Sequence, residues 1–147
     1  MSDRCVFCRI IRGETSSYKV YEDGRALAFL DINPSAPGHT LIIPKAHVAR
    51  VEDLQEEDAI SLFSALHRLV EPIQRAVEAP ACTIGINNGP ESGQEIPHVH
   101  VHVIPRSRGD HGGIIQGVTR TGRPQRHEIA ETAAKIRELA SPDVRPL

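Results

Sequence analysis

Residues 98–105 read His98-Val99-His100-Val101-His102-Val103-Ile104-Pro105. Valine and isoleucine favour strands, and a strand sends successive side chains to opposite faces. The stretch is therefore expected as a strand that buries Val99, Val101 and Val103. Its other face would carry His98, His100 and His102 at a spacing of roughly 7 Å. A lone histidine is ordinarily structural or merely exposed, but three at period two are hard to explain by packing. Two chemistries fit such a row. Neutral imidazoles are common metal ligands, so the three could share an ion. Alternatively, one imidazole attacks as a nucleophile while its neighbours fix its tautomer and stabilise charge.

The flanking segments supply the rest of a sheet. Ala81-Cys82-Thr83-Ile84-Gly85-Ile86-Asn87 reads as a strand with Cys82 buried, and a glycine-containing loop over residues 88–94 leads to the histidines. Such a loop can offer backbone N–H groups to an anion. Tyr18-Lys19-Val20-Tyr21-Glu22 and residues 25–31 read as a hairpin about Asp23-Gly24. His39-Thr40-Leu41-Ile42-Ile43-Pro44 is the next strand, and His39 and His47 stand at its margins, where a single histidine is ordinarily unremarkable.

Asp53-Leu54-Gln55-Glu56 resembles a capping box opening a helix that runs to about Glu78. That helix would bury Ile60, Phe63, Leu66, Val70, Ile73 and Val77, and Pro72 should kink or split it. His67 falls between those core positions and carries no chemistry. Residues 106–124 read as a polar, glycine-rich flap with His111 solvated. His127 is likewise solvated, and residues 128–139 form a second amphipathic helix with Ile129, Ala133, Ile136 and Leu139 inward.

At 147 residues and 16.1 kDa the chain is expected to be a single domain over 1–147, its core at about 5–106, with a flexible loop and terminal helix over 107–147. A net charge of −2 and a pI near 6.4 argue against a general nucleic-acid or membrane-surface binder. The absence of a long apolar run or a signal-like start makes a cytoplasmic location the expectation. Three cysteines do not make a disulfide framework. Cys5-Val6-Phe7-Cys8 is a CxxC pair with no room for the strand that precedes a redox motif. A zinc half-site is favoured, which needs two more ligands.

The pattern His98-Val99-His100-Val101-His102-Val103-Ile104 resembles the histidine-triad family of nucleotide hydrolases and transferases, and the likeness runs from about Cys5 to Arg106. Gly89-Pro90-Glu91-Ser92-Gly93-Gln94 is similar to the loop of that family's dinucleoside polyphosphate hydrolases. The N-terminal part is closer to bacterial members and nucleoside phosphoramidases. The resemblance implies an α+β fold: an antiparallel sheet of about five strands, one long helix and a C-terminal helix. It also implies a homodimer formed through the long helix and a sheet edge.

The same resemblance implies roles. His100 would attack the α-phosphorus and carry the nucleotide covalently, His102 would contact phosphate oxygen, and His39 would orient the nucleophile. Gln94 would approach the phosphate and leaving group, and Asn87 the α-phosphate. Asp31 would bind the ribose hydroxyls, while Phe7, Ile10, Phe29 and Ile32 would form the slot for an adenine base. Glu95 stands where a serine or threonine often helps the leaving group, and a carboxylate there is repulsive towards polyphosphate. The retained His102, where the uridylyltransferase branch usually has glutamine, implies hydrolysis. By likeness to a zinc-bearing branch, Cys5, Cys8, His47 and His98 would hold a structural zinc, leaving His100 free to attack. The expected function is hydrolysis of a nucleotide conjugate at its α-phosphate. A metalloenzyme ligated by the triad itself and a catalytically weak nucleotide-binding protein stay open as alternatives.

Overall fold

The computed structural model describes residues 2–119 and 122–140. Five antiparallel strands lie in the order β1-β2-β3-β5-β4, namely β1 (Lys19–Glu22), β2 (Ala26–Leu30), β3 (Thr40–Pro44), β4 (Ala81–Gly85) and β5 (Val101–Arg106). With the helices α1 (Val6–Ile11), α2 (Glu56–Ala76) and α3 (Arg126–Ala140), this is the expected α+β fold. The described residues fall into two compact units, one through Gly113 and one from Ile114.

The first unit is organised by a sheet covered on both faces. On one face Ala26, Ala28, Ile42, Val99, Val101 and Val103 pack against Leu62, Ala65, Leu66, Leu69 and Ile73 of α2. On the other, Leu27, Phe29, Leu41 and Ile43 pack against Cys5, Phe7, Cys8 and Ile10. β2 and β3 are buried along nearly their whole length because each side chain, whichever way it points, meets a layer. β4, at the sheet edge, is only partly covered, which leaves Cys82 half-buried instead of buried.

Several local expectations shift. The hairpin closes without a left-handed Gly24; Asp23 Oδ1 instead accepts the N–H groups of Arg25 and Ala26 at 2.8 and 2.7 Å. Asp53 is not an N-cap: residues Val51–Asp53 form a 3₁₀ turn, and Gln55 caps α2 without a side-chain bond. α2 is unbroken through Pro72, which sits on its exposed side. Ile60 and Phe63 are 59% and 47% exposed, and Val70 and Val77 only half-buried. The helix carries two apolar stripes, and at 100° per residue Ile60 and Phe63 lie roughly 100–160° from the Leu62–Leu66–Leu69–Ile73 line. Only the sheet decides which stripe faces inward. His67 lies exposed on the outer stripe.

The chain turns into β3 through Gly38, at φ +79°, where a Cβ would stand 2.9 Å from Val77 Cγ1 and 3.2 Å from Pro105 Cγ. Beyond β5, the expected flap is in part pinned. The Arg106 guanidinium donates to both oxygens of Asp110, to Thr83 Oγ1 and to the Gly113 carbonyl. The guanidinium holds the Asp110 carboxyl well below the usual range, with the Gly112 and Ser107 N–H groups assisting.

In the second unit, α3 has no buried residue, and Ile129, Ile136 and Leu139 are exposed, not inward. Its own unit offers only a 3₁₀ turn at Ile115–Gly117 and no second layer to cover that stripe. Residues 120–121 of the expected flap, and residues 141–147, lie outside the described residues. Among the described residues, no helix is long and apolar enough to cross a membrane.

The packing assigns unequal weight to the faces of α2. Leu62→Ala, which empties a fully buried position against the sheet, is expected to cost about 2–5 kcal/mol. Glu71→Ala, whose pair with Arg75 is nearly all in solvent, is expected to change stability by less than about 0.5 kcal/mol. Urea midpoints at constant slope measure both.

Candidate active site and metal centre

Antiparallel partners share a face, and Leu41 stands opposite His102. Stepping back two residues from Leu41 on the same side gives His39; stepping forward two from Phe29 gives Asp31. The Asp31 N–H donates to the His39 carbonyl at 2.9 Å, so the two ends stay side by side. Asp31, His39 and the histidine row thus converge on the face opposite α2. His98 and His100 lie just before the β5 ladder begins, held extended by the Val99 N–H to the Val48 carbonyl at 2.8 Å. All three valines are fully buried, as the alternation requires.

The row divides between two centres. His98 is fully buried, and its ring Nε2 donates to the Pro44 carbonyl at 2.8 Å, which turns the lone pair of Nδ1 towards Cys5, Cys8 and His47. Nδ1 of His98 lies 3.5 Å from Cys5 Sγ, 3.8 Å from Cys8 Sγ and 3.3 Å from His47 Nδ1, and Cys8 Sγ lies 3.3 Å from His47 Nδ1. A tetrahedron with Zn–S of about 2.3 Å and Zn–N of about 2.0–2.1 Å has edges of about 3.3–3.8 Å. The four separations fit that figure, and the four donors form a Cys₂His₂ group that could hold a metal ion. Burial, then the like charges of His47 and His100, push the His98 imidazole down to about 4, so it is neutral and free to ligate. Burial pushes the Cys5 thiol up, and a bound cation offsets that cost by favouring the thiolate. Cys5 caps α1 and Cys8 lies inside it, a helix that the CxxC alone did not announce.

His100 faces the other way. Its Nδ1–H donates to the His98 carbonyl at 2.7 Å, leaving the Nε2 lone pair unshared. The His102 ring stands 4.9 Å from it, and Phe7 meets its edge at 5.3 Å. His102 Nδ1 is 2.9 Å from His39 Nε2, while His102 Nε2 is buried without a partner. The Ser35 N–H donates to His39 Nδ1 at 3.1 Å, and Asp31 Oδ2 is 3.7 Å from that nitrogen. Burial, then His100 and His39, lower the His102 pKa to about 4. Burial also lowers His39, against the opposing pull of Asp31.

The remaining residues are distributed around this centre. Asp31 Oδ1 accepts from the Asn33 N–H at 2.8 Å, and Oδ2 has no such bond. Phe7, Ile10 and Phe29 are buried in one cluster, with the two phenyl rings edge-on at 5.5 Å, whereas Ile32 is 76% exposed. Asn87 is half-buried just after β4. Gln94 is engaged on both sides of its amide, accepting from the Gly89 N–H at 2.9 Å and donating to the Ala49 carbonyl at 2.7 Å. Asn88 adds a second tie, accepting from the Val51 N–H and donating to Glu52. Gly89, at φ +102°, lies so near Arg50 that a Cβ would approach its Nη2 to 2.9 Å. Glu95 is exposed and lines a groove with Ser2, Arg4, Cys5 and His47, on the metal side.

What the residue types did not disclose is the part played by main-chain groups. The Pro44 and His98 carbonyls and the Ser35 N–H orient three imidazoles, and no side-chain motif marks them. Only the position of His98 two residues before His100 carried any hint of the second.

Comparison with known proteins agrees with this geometry. The HIT domain family model matches residues 12–109. An adenosine 5′-monophosphoramidase of Saccharomyces cerevisiae is 40% identical over 113 residues, covering 77% of this chain and 68% of that protein. The crystal structure of SMU.412c from Streptococcus mutans superposes with a TM-score of 0.87 at 34% identity, over 96% of this chain and 88% of the other. A Zn-bound histidine triad family protein from Mycobacterium smegmatis is similar at a TM-score of 0.69 and 31% identity, over 94% and 98% of the two chains.

The quartet predicts one zinc per chain. Native mass spectrometry should find it, and Cys8→Ser should abolish it and lower the melting temperature. A chain that melts unchanged after chelation, with no bound metal, would contradict the assignment.

Proposed function

Because this chain belongs to the HIT domain family, we propose that it hydrolyses a nucleotide conjugate at the α-phosphate through a covalent nucleotidyl-histidine. The observation that carries the reading is the Nδ1–H of His100 tied to the His98 carbonyl, which presents Nε2 as a free lone pair. In the first step Nε2 attacks the α-phosphorus, the bond to the leaving group breaks, and the leaving group departs with a proton taken from solvent. In the second, water attacks the phosphorus, the N–P bond breaks, the water's proton returns to solvent, and the nucleotide is released. His102, beside the nucleophile, is the donor to a non-bridging oxygen, where charge develops. Asp31, with Oδ2 unengaged, accepts from the ribose hydroxyls, and Phe7 and Phe29 border the base. The yeast relative supports adenosine as the nucleoside and an amine as a leaving group. Asn87 lies on the α-phosphate side.

Gln94 serves this reading through the shape of the loop over residues 88–94, since both ends of its amide already hold that loop to Ala49. The zinc, when bound, supplies structure only. It fixes α1 and the start of the histidine row, and all the reacting groups belong to the chain.

A homodimer through α2 completes the proposal. Ile60 and Phe63, with Ser64, His67 and Arg68, form an open groove on the face turned from the sheet. Phe63→Glu should halve the mass seen by light scattering; an unchanged mass would remove α2 from the interface.

His100→Ala should lower kcat for adenosine 5′-phosphoramidate by at least about 10³-fold, the scale lost when a nucleophile is removed. The wild-type protein quenched during turnover should carry nucleotide on His100. Near-normal turnover in the variant would sink the covalent route.

A further inference from the structure

We propose that the backbone N–H of Ser35 sets the proton arrangement of the His39–His102 pair, so that His102 meets substrate as a neutral N–H donor and not as a base. The inference rests on His100 and His102 being the reacting pair, but its main test uses no turnover.

A main-chain N–H can only donate. Ser35 points its N–H at His39 Nδ1 from 3.1 Å, so that nitrogen must present its lone pair. A neutral His39 then carries its proton on Nε2. Nε2 lies 2.9 Å from His102 Nδ1, which must therefore accept. The one remaining place for the proton of His102 is Nε2, and that atom is buried with no hydrogen-bond partner. A buried donor without an acceptor is costly, and the cost is relieved when an anionic oxygen arrives. One backbone group thus propagates through two rings to the atom that faces the phosphate.

The opposite arrangement is the natural rival. There His39 would hold its proton on Nδ1 towards Asp31, and His102 would expose a bare Nε2 able to take a proton. Asp31 Oδ2 is 3.7 Å away, too far for that bond, and Nδ1–H would face the Ser35 N–H donor to donor. Burial opposes the charged form of both rings, so protonating either to escape the conflict is unfavourable. The same geometry disfavours a cation between Asp31, His39 and His102, although their donor atoms lie within 4.8 Å of one another. Such an ion would have to displace either the Ser35 N–H from His39 Nδ1 or the proton from His39 Nε2.

The local sequence holds Ser35 in place. Pro34 and Pro37 restrict the turn, Gly38 takes a left-handed φ of +79°, and the His39 N–H closes on the Ala36 carbonyl at 3.1 Å. The side chain of Ser35 has no part in this, so any residue with an N–H would do there.

Long-range ¹H–¹⁵N spectra of uniformly ¹⁵N-labelled protein at about pH 8 report which ring nitrogen bears the proton. His39→Asn and His102→Asn variants assign the signals. The expected result is Nε2–H for His39 and His102, with ¹⁵N–¹⁵N coupling across the Ser35–His39 and His39–His102 bonds. Ser35→Ala, which keeps the N–H, should leave that pattern intact. Ser35→Pro, which deletes it, should shift His102 towards Nδ1–H and lower kcat by about tenfold or more, with KM within about twofold. His39 protonated on Nδ1, or His102 bare on Nε2, in the wild-type protein overturns the proposal. So does a folded Ser35→Pro variant with an unchanged His102. If that variant does not fold, the wild-type spectrum decides alone. Loss of turnover in His100→Ala with this tautomer pattern intact would leave the inference standing, whereas a wrong pattern in a fully active enzyme would remove it and spare the covalent route.

Discussion

Burial of Val99, Val101 and Val103 against α2 is the constraint on which the site depends. Each fully buried valine contributes on the order of 1.5–3 kcal/mol of transfer energy, and three in alternation hold the chain extended from His98 to Val103. The imidazoles on the reverse side need supply no stability of their own. They can be kept neutral, desolvated and in part unpartnered, which core side chains of an ordinary strand are not. The energy that positions the imidazoles therefore comes from the other face of the same strand.

His98 shows how closely the two centres are joined. One ring nitrogen completes the metal quartet, the other donates to Pro44, and its main-chain carbonyl fixes the tautomer of His100. Phe7 adds a packing link, with its ring edge-on to both His98 and His100 at 5.7 and 5.3 Å, between the two cysteines of α1. The Cys/His quartet and His100, the proposed nucleophile, are thus neighbours in covalent structure, in hydrogen bonding and in van der Waals contact. A closed site for an ion without redox chemistry would suit that position, because any change of coordination there would be felt two residues away.

Much of this was legible in the residues. Period-two alternation located the decisive strand and its buried valines, and the sheet and long helix followed from apolar periodicity. The four residues Cys5, Cys8, His47 and His98, which the resemblance brought together, do meet in space as a group that could hold a metal ion. The inner face of α2 was not legible, because Ile60 and Phe63 are as apolar as Leu62 and Leu69 and repeat with the same period. The start of α2 was missed because a 3₁₀ turn consumed the apparent capping aspartate, Asp53. Cys5-Val6-Phe7-Cys8 did not read as a helix, since the six residues of α1 are held by packing more than by propensity. Least legible were the carbonyls and amides that orient His98, His100 and His39, because every residue carries such groups and only the fold selects which are used.

The alternation that serves the site also dictates where the chain may change length. Around residues 107–119, the clamp between Arg106 and Asp110 fixes only the first few positions, and an insertion beyond it displaces nothing in the sheet. Between His98 and His102 no such freedom exists. Losing or gaining one residue there would invert every later side chain, turning imidazoles into the α2-facing core and valines to the opposite face. It would also separate the carbonyl from the ring it orients. Point substitutions in this segment weaken one role at a time, but a change of length would remove all of them at once. The strand can therefore take replacement of single residues, and a change of length is tolerated only outside it.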